Sequence, residues 1–523
     1  MRTRPTVPLG HGEMLTSPPY AEWESVLHGN IALASSWDFE IAGVPISALR
    51  EDARIEAITA ASEFSLRLGV PVKAVPSAVE RVIVTGHQPQ LYHPGVWVKD
   101  FLLQRFADET SSVAIDLVVD TDSFTDVSLR APSIEPVVSA FSHPLAIGEA
   151  GGCYVTAPVP ESAEIDELCE KGSAALSSLP ANAPARHFED FCGQLRDAAQ
   201  NAENLSELVT FARRRFEASA GSDYLELPVS VLCRTESFVQ YSIDIMQNAN
   251  RFASAYNDEL GAYRVIHKTR SAAQPFPDLR SYGTSTEIPF WYVDEGSRRT
   301  LAVTPLESGL ELAAEGERIA VLPPVPAEAR DVLSALPGII APKAIALTLF
   351  ARLFLADVFI HGVGGGRYDR IADGVITRYF GQEPPVFTVA SMTMYLPLGA
   401  PITGDAEVTE AERQLHRFEH NPDEVLKGIE CDSLVERETA LSLANEKESL
   451  VTRIAEPGAD KKELGLRIKA VNQELRELLA PIASQLKADL DRLVSERDAT
   501  EILTDRTYPF CLWDPVEVQD KVL

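Results

Sequence analysis

The chain has 523 residues, 45% of them hydrophobic and 24% charged. These proportions exclude wholesale disorder and fibrous classes, and the length predicts roughly two to four domains. Its 47 basic residues face 77 acidic ones, a net charge of -30, which opposes non-specific attachment to nucleic-acid backbones or anionic membranes. A basic pocket for a small anion is still compatible with that average field.

The six cysteines, with no CxxC pair among them, argue against a zinc ribbon or a disulfide framework and for a reduced, cytoplasmic setting. The opening residues, MRTRPTVPLGHGEMLTSPPY, lack a continuous apolar run, so no signal peptide is expected.

Residues 1–150 read as the first part of an α/β core. RVIVT (81–85) is a short β-branched strand, a helix begins near Gly95, and SVAIDLVVD (112–120) is a second strand. Two strands joined by a helix form a parallel pair, and ligands of such sheets gather at the carboxyl edge. There the loop VTGHQPQLYHPG (84–95) places Thr85, Gly86, His87, Gln88 and His93, with Lys99 on the following helix. Imidazoles offer proton transfer near neutrality, the amide both donates and accepts, and glycine permits close backbone approach. The plainer alternative is a loop whose side chains satisfy local backbone. After the second strand comes DTDSFTD (120–126). Asp120 and Asp122 there can hold an ammonium or a hard cation, or simply cap a turn.

Residues 151–224 read as a mainly helical insertion, and residues 225–400 as the second part of the core. LELPVSVL (225–232) predicts a strand, SFVQYSIDIMQNANRFASAY (237–256) a helix, and residues 288–303 a hairpin turning at Asp294, Glu295, Gly296 and Ser297. The apolar stretch 339–360 carries Lys343, Arg352 and Asp357, and so reads as buried helix and strand, with no membrane span. It ends in a strand-like LADVFI (355–360) and a glycine-rich loop, HGVGGGRYDR (361–370). Backbone amides of Gly364, Gly365 and Gly366, with His361, Arg367 and Tyr368, can surround an anionic group. No Gly-Lys-Ser/Thr follows, so this is no Walker loop, and no HExxH or GxSxG motif occurs. No metal is expected.

Residues 401–500 carry the strongest periodicity. Leu464, Ile468, Val471, Leu475, Leu478 and Ile482 form a heptad seam, and an earlier helix over 431–455 is set off by Pro457 and Gly458. The pattern predicts a long antiparallel coiled coil with one helix continuous over 461–497, about 55 Å at 1.5 Å per residue. Such a helix projects or pairs with a second copy of the chain, and the plainer alternative is a helical hairpin packed on its own chain. Residues 501–523 read as a tail.

The order of these parts resembles the bacillithiol biosynthesis cysteine-adding enzyme family, BshC. VTGHQPQLYHPGVWVKDF stands where that family has a strand, a VTG-Gln-Gln loop and a Tyr-Lys helix. Asp120 to Phe124 stands for its acidic stretch and His361 to Tyr368 for its glycine-rich loop, while Ser391-Met392-Thr393 matches a strand ending in Ser-x-Thr. His87 replaces the first glutamine, and the acidic stretch lacks a histidine. The resemblance implies a Rossmann-like core with helical insertions, a coiled-coil homodimer, and an enzyme adding cysteine to an amino-sugar conjugate.

On the combined reading, His87 or His93 assists proton transfer, Asp120 and Asp122 hold a cationic amine, and Lys99 with the glycine loop binds anionic groups. The competing reading is a non-catalytic coiled-coil dimer with a metabolite-binding domain. The cofactor is unknown: a nucleotide suits the implied fold, but no sequence element identifies one.

Overall fold

Short apolar runs bounded by turn residues come together from distant parts of the chain. The computed structural model describes residues 6–74, 81–134, 138–269, 274–294, 296–399, 403–426 and 434–522. They fall into two compact units, one from within Met1–Ile134, Ala140–Tyr395 and Arg506–Leu523, the other from within Glu135–Ser139 and Leu396–Asp505. Glu295, named above, lies outside the described residues, as do 431–433 of the predicted earlier helix.

The larger unit is a mixed α/β structure. Strands β1 (Glu13–Ser17), β2 (Val82–His87), β3 (Val113–Val118) and β4 (Leu225–Pro228) lie in one six-stranded sheet. Strands β5 (Ser285–Asp294), β6 (Ser297–Leu306), β7 (Gly309–Ala314), β8 (Glu317–Leu322) and β9 (Ile339–Pro342) form an antiparallel sheet in the order β8-β7-β6-β5-β9. The first sheet is completed by β10 (Val358–His361) and β11 (Thr388–Thr393), giving the order β1-β11-β10-β2-β3-β4. All its neighbours are parallel except the pair β1 and β11. β2 and β3 are buried along most of their length, because helices cover both faces of such a sheet, and this is why they read as continuous apolar runs.

The helices follow from local signals. α1 (Ile46–Leu66) packs on the sheet, and α2 (Pro94–Thr110) is the crossover from β2 to β3. α2 starts with Pro94 in its first turn and His93 as cap, and stops at Ser111, whose φ of 51° is left-handed. α3 (Ser162–Ser177), α4 (Ala183–Ala199) and α5 (Leu205–Glu217) are the predicted helical insertion. α6 (Glu236–Gln247) and α7 (Ala249–His267) take the place of the single helix read from 237 onward. α8 (Ala344–Phe350) and α9 (Val363–Val375) lead into and out of β10.

Three local expectations are corrected. Only Leu225–Pro228 of LELPVSVL is strand, since Val229–Leu232 is one helical turn beginning straight after a proline. The predicted strand from Leu355 begins only at Val358, because Ala351–Leu355 is a π-helical turn. The glycine-rich segment is not a loop: Gly362 caps α9, and Gly364, Gly365 and Gly366 lie in its first turns. Glycine's low helix propensity argues against this, but a helix packed against the sheet edge overrides it.

The chain passes from β2 to β3 to β4 on one side and returns to β10 on the other side of β2, with Val358 opposite Ile83 and Phe359 opposite Val84. Strand order therefore reverses between β2 and β10. Crevices of open α/β sheets form outside the carboxyl ends of strands at such a reversal.

In the smaller unit, α10 (Leu434–Ile454), α11 (Lys461–Leu478) and α12 (Ala480–Leu503) follow one another, and α10 packs on α11. Val471 and Leu475 of the heptad seam are fully buried, and Leu464, Ile468, Leu478 and Ile482 pack against them in part. The continuous helix over 461–497 is not found. It breaks at Leu479, with φ -98° and ψ 18°, because Pro481 in the next turn has no amide hydrogen and its ring obstructs the carbonyl of residue 477.

Candidate active site

Three segments leave the sheet at its carboxyl edge beside the reversal point, after β2, β3 and β10. They border a cleft of about 720 Å³, within the range of roughly 300–1,000 Å³ common for small-molecule sites. From the first segment Gly86, His87, Gln88, His93 and Lys99 line it, from the second Asp122, and from the third His361, Gly364, Gly365, Arg367 and Tyr368. Three of the sequence-selected residues do not line this cleft. Thr85 is buried beneath it, with its hydroxyl donating to the Ile360 carbonyl at 2.8 Å. The Gly366 backbone has its open side against Val389. Asp120 is turned inward, where it accepts hydrogen bonds from the Ser230 amide at 2.9 Å and from the Ser230 hydroxyl. Burial pushes its carboxyl up to about 6, against the lowering effect of Ser230. Asp120 thus fastens β3 to the turn after β4 and has no route to a ligand's amine.

The two histidines of the opening loop also depart from the roles read from sequence. His93 is the cap of α2, its Nδ1 accepting from the Gly95 amide at 3.0 Å. His87 is held neutral. Burial, reinforced by the nearby Lys99 charge, pushes it down to about 3. Its Nδ1 then carries hydrogen and donates to the Gln88 carbonyl at 3.0 Å. An imidazole so weakly basic serves as a fixed hydrogen-bonding group, and it is a poor proton acceptor near neutrality.

Lys99, 2% exposed, donates from Nζ to the Gly86 carbonyl at 2.9 Å and to Thr85 Oγ1 at 3.2 Å. Burial pulls its ammonium below the ordinary lysine range, and Asp100 and Asp116 oppose that shift. These two acids belong to a charged network beneath the cleft. Arg213, 4% exposed, donates to Asp100 at 3.0 Å, Asp116 at 3.0 Å, Glu217 at 3.3 Å, Glu226 at 2.6 Å and the Tyr224 hydroxyl at 2.7 Å. Burial first, then the neighbouring Asp116, pushes Asp100 up to about 8, and burial raises Glu226 well above the carboxylate range. The network fastens α5 of the insertion to α2, β3 and β4.

Across the cleft stands a wall from β5, β6 and the start of α8. Arg298 donates from Nη1 to Asp122 Oδ1 at 2.7 Å and from Nη2 to Ser123 Oγ at 2.8 Å, while Gln88 Nε2 donates to Asp122 Oδ2 at 3.0 Å. The Trp291 ring lies between two cations, with the Arg298 guanidinium 4.6 Å and the Lys343 ammonium 4.5 Å from its centroid. Lys343 pairs with Glu287 at 2.5 Å. Sequence reading missed this wall. Trp291 and Arg298 sit in a hairpin that reads as scaffold, and only the tertiary fold brings it over the sheet edge. The signal available beforehand was a basic pair, Arg298-Arg299, beside an exposed-looking tryptophan in a strand.

At the third segment, His361 Nε2 lies 2.9 Å from Asp369 Oδ2, which also accepts from Arg352 Nη1 at 2.7 Å. Burial would raise the Asp369 carboxyl, but Arg352 and then His361 outweigh it and hold it below its ordinary value. Arg506 lines the cleft and donates to Thr393 Oγ1 at 3.1 Å, and Ser391 lines it as well.

Five lysines and arginines line this cleft (Lys99, Arg298, Lys343, Arg367 and Arg506) against two acids, Asp122 and Asp369. The amino ends of α2 and α9 open onto it too. In a chain of net charge -30, this is a local field that selects anions. Among the described residues no cluster of three or more histidine, cysteine or acidic groups has metal-binding geometry, and no helix is long and apolar enough to cross a membrane. No protein-family model matches the chain, and no curated protein matches it significantly.

Proposed function

We propose that the protein is a BshC-like ligase that joins cysteine, or a related amino acid, to a small polar, amino-sugar-like substrate. One observation carries the reading: three segments, at residues 86–99, at Asp122 and at residues 361–369, converge on a single cation-rich cleft at the strand-order reversal. An anion-selecting interior suits substrates that carry carboxylates. Arg298 and Lys343 bind the carboxylate of one substrate, and the amides at the start of α9 with Arg367 bind an anionic group of the other. Asp122, joined to Gln88, receives an ammonium or hydroxyl, and the face of Tyr368 packs against a sugar ring. His87 contributes a neutral hydrogen bond.

The same reading treats the parallel sheet as a Rossmann-like core, the helices of the smaller unit as an antiparallel coiled coil that joins two copies, and the cytoplasm as the setting. Low-molecular-weight thiols measured before and after deletion of the gene test it, with purified protein incubated with cysteine and an amino-sugar acid conjugate, with and without ATP to activate the carboxylate. Loss of one thiol on deletion and formation of its amide in vitro are expected. Unchanged thiol pools with no condensation defeat the ligase, and tight substrate binding without turnover leaves the metabolite-binding dimer in its place. Calorimetry with ATP and ADP decides whether a nucleotide takes part.

A further inference from the structure

The cleft contains three histidines, and the geometry disqualifies two of them as proton acceptors: His93 spends Nδ1 on the cap of α2, and His87 is held neutral and scarcely basic. His361 is differently placed. It ends β10 at the reversal point, 8% exposed, and lines the cleft. Its Nε2 faces Asp369 Oδ2 at 2.9 Å, and Arg352, itself 2% exposed, fixes that oxygen at 2.7 Å. A carboxylate accepts only, so Nε2 must carry the hydrogen and Nδ1 the lone pair. Nδ1 has no hydrogen-bond partner among the described residues. The position next to it is a glycine: a β-carbon on Gly365 would sit 3.0 Å from Nδ1, farther from the ring's Cγ at 3.7 Å. That places it on the lone-pair side and not above the ring.

We propose that His361 is the proton acceptor of the cleft, held in its Nε2–H tautomer by the positioning residues Asp369 and Arg352, with Gly365 keeping Nδ1 open to the incoming nucleophile. The inference rests on the ligase reading for the identity of that nucleophile, an amine or thiol. In the step, the X–H bond of the nucleophile breaks and its electron pair stays on X for bond formation. The proton passes to Nδ1, giving an imidazolium whose Nε2–H still donates to Asp369. This division of labour, an acid orienting a ring through one nitrogen while the other does the chemistry, needs no further group.

The test uses the full-length protein with ¹⁵N-labelled histidine, assigning His361 by its loss in His361→Gln. The expected spectrum of the neutral ring has Nε2 protonated and Nδ1 bare, and added cysteine shifts Nδ1. Asp369→Asn mixes the tautomers. Gly365→Ala, compatible with a helical turn, retains the Nε2–H tautomer but loses the response to cysteine, and lowers kcat by about 100-fold or more with KM little changed. A spectrum with Nδ1 protonated, or wild-type turnover in Gly365→Ala, overturns the assignment. If the tautomer and the cysteine response stand while no condensation occurs, the assignment survives and the ligase reading falls.

Discussion

Replacing Arg213 by methionine tests whether the buried network supports the floor of the cleft. The side chain is 4% exposed and donates to four carboxylates. With Arg214 it supplies two positive charges to Asp100, Asp116, Glu217 and Glu226, and burial raises Asp100 and Glu226 in the direction that lets protons offset the deficit. At an effective dielectric of about 20, one ion pair near 3 Å is worth about 5 kcal/mol before desolvation. Deleting one partner of a buried pair costs about 3–5 kcal/mol in practice. We expect a loss in that range in urea unfolding followed by circular dichroism and tryptophan fluorescence, since Trp97 donates to Glu217 at 2.6 Å. The orphaned carboxylates recover by binding protons, which is easier in acid, so the loss is larger at pH 8 than at pH 5. Arg213→Met should also weaken ligand binding, because Asp100 adjoins Lys99 on α2. A loss below about 1 kcal/mol, or one equal at both pH values, refutes the argument.

The His87 imidazole, pushed down to about 3 from an ordinary 6.5, binds its proton more weakly folded than unfolded. Its share of stability is therefore complete above about pH 6.5 and lost as pH falls toward 3, and His87→Gln should flatten acid unfolding in that window by a few kcal/mol at most. Gly95→Ala should cost about 1–3 kcal/mol, since a β-carbon there would lie 2.7 Å from the Met392 carbonyl oxygen. Gly364→Ala, with nothing within 4 Å of the added carbon, should be neutral or stabilising by up to about 1 kcal/mol. Thermal melts separate the two, and equal effects would contradict the packing described. Arg298→Ala should weaken binding of a dicarboxylate such as malate by about 10-fold while leaving the unfolding midpoint nearly unchanged, and calorimetry showing undiminished affinity would remove Arg298 from the site.

The sequence by itself determined the local elements whose physics is local. β-branched runs became β2 and β3, the Pro94 start and apolar face of α2 were legible, and the turn at Gly296, with φ of 84°, closed the predicted hairpin. Each depends on residues within one or two turns of chain. The seam of Val471 and Leu475 was legible for the same reason, though a single proline ended the helix sooner than periodicity suggested. Tertiary structure decided which of the polar residues meet. Asp120 and Asp122 are two positions apart and equally acidic, yet both lie past the end of β3, where the turning chain and the Ser230 contact hold one inward and leave the other facing Arg298, a residue 176 positions away. The three cleft histidines are likewise indistinguishable as letters. Whether each caps a helix, sits neutral over a buried lysine, or is braced by an aspartate from the next helix depends on neighbours that only the folded sheet supplies.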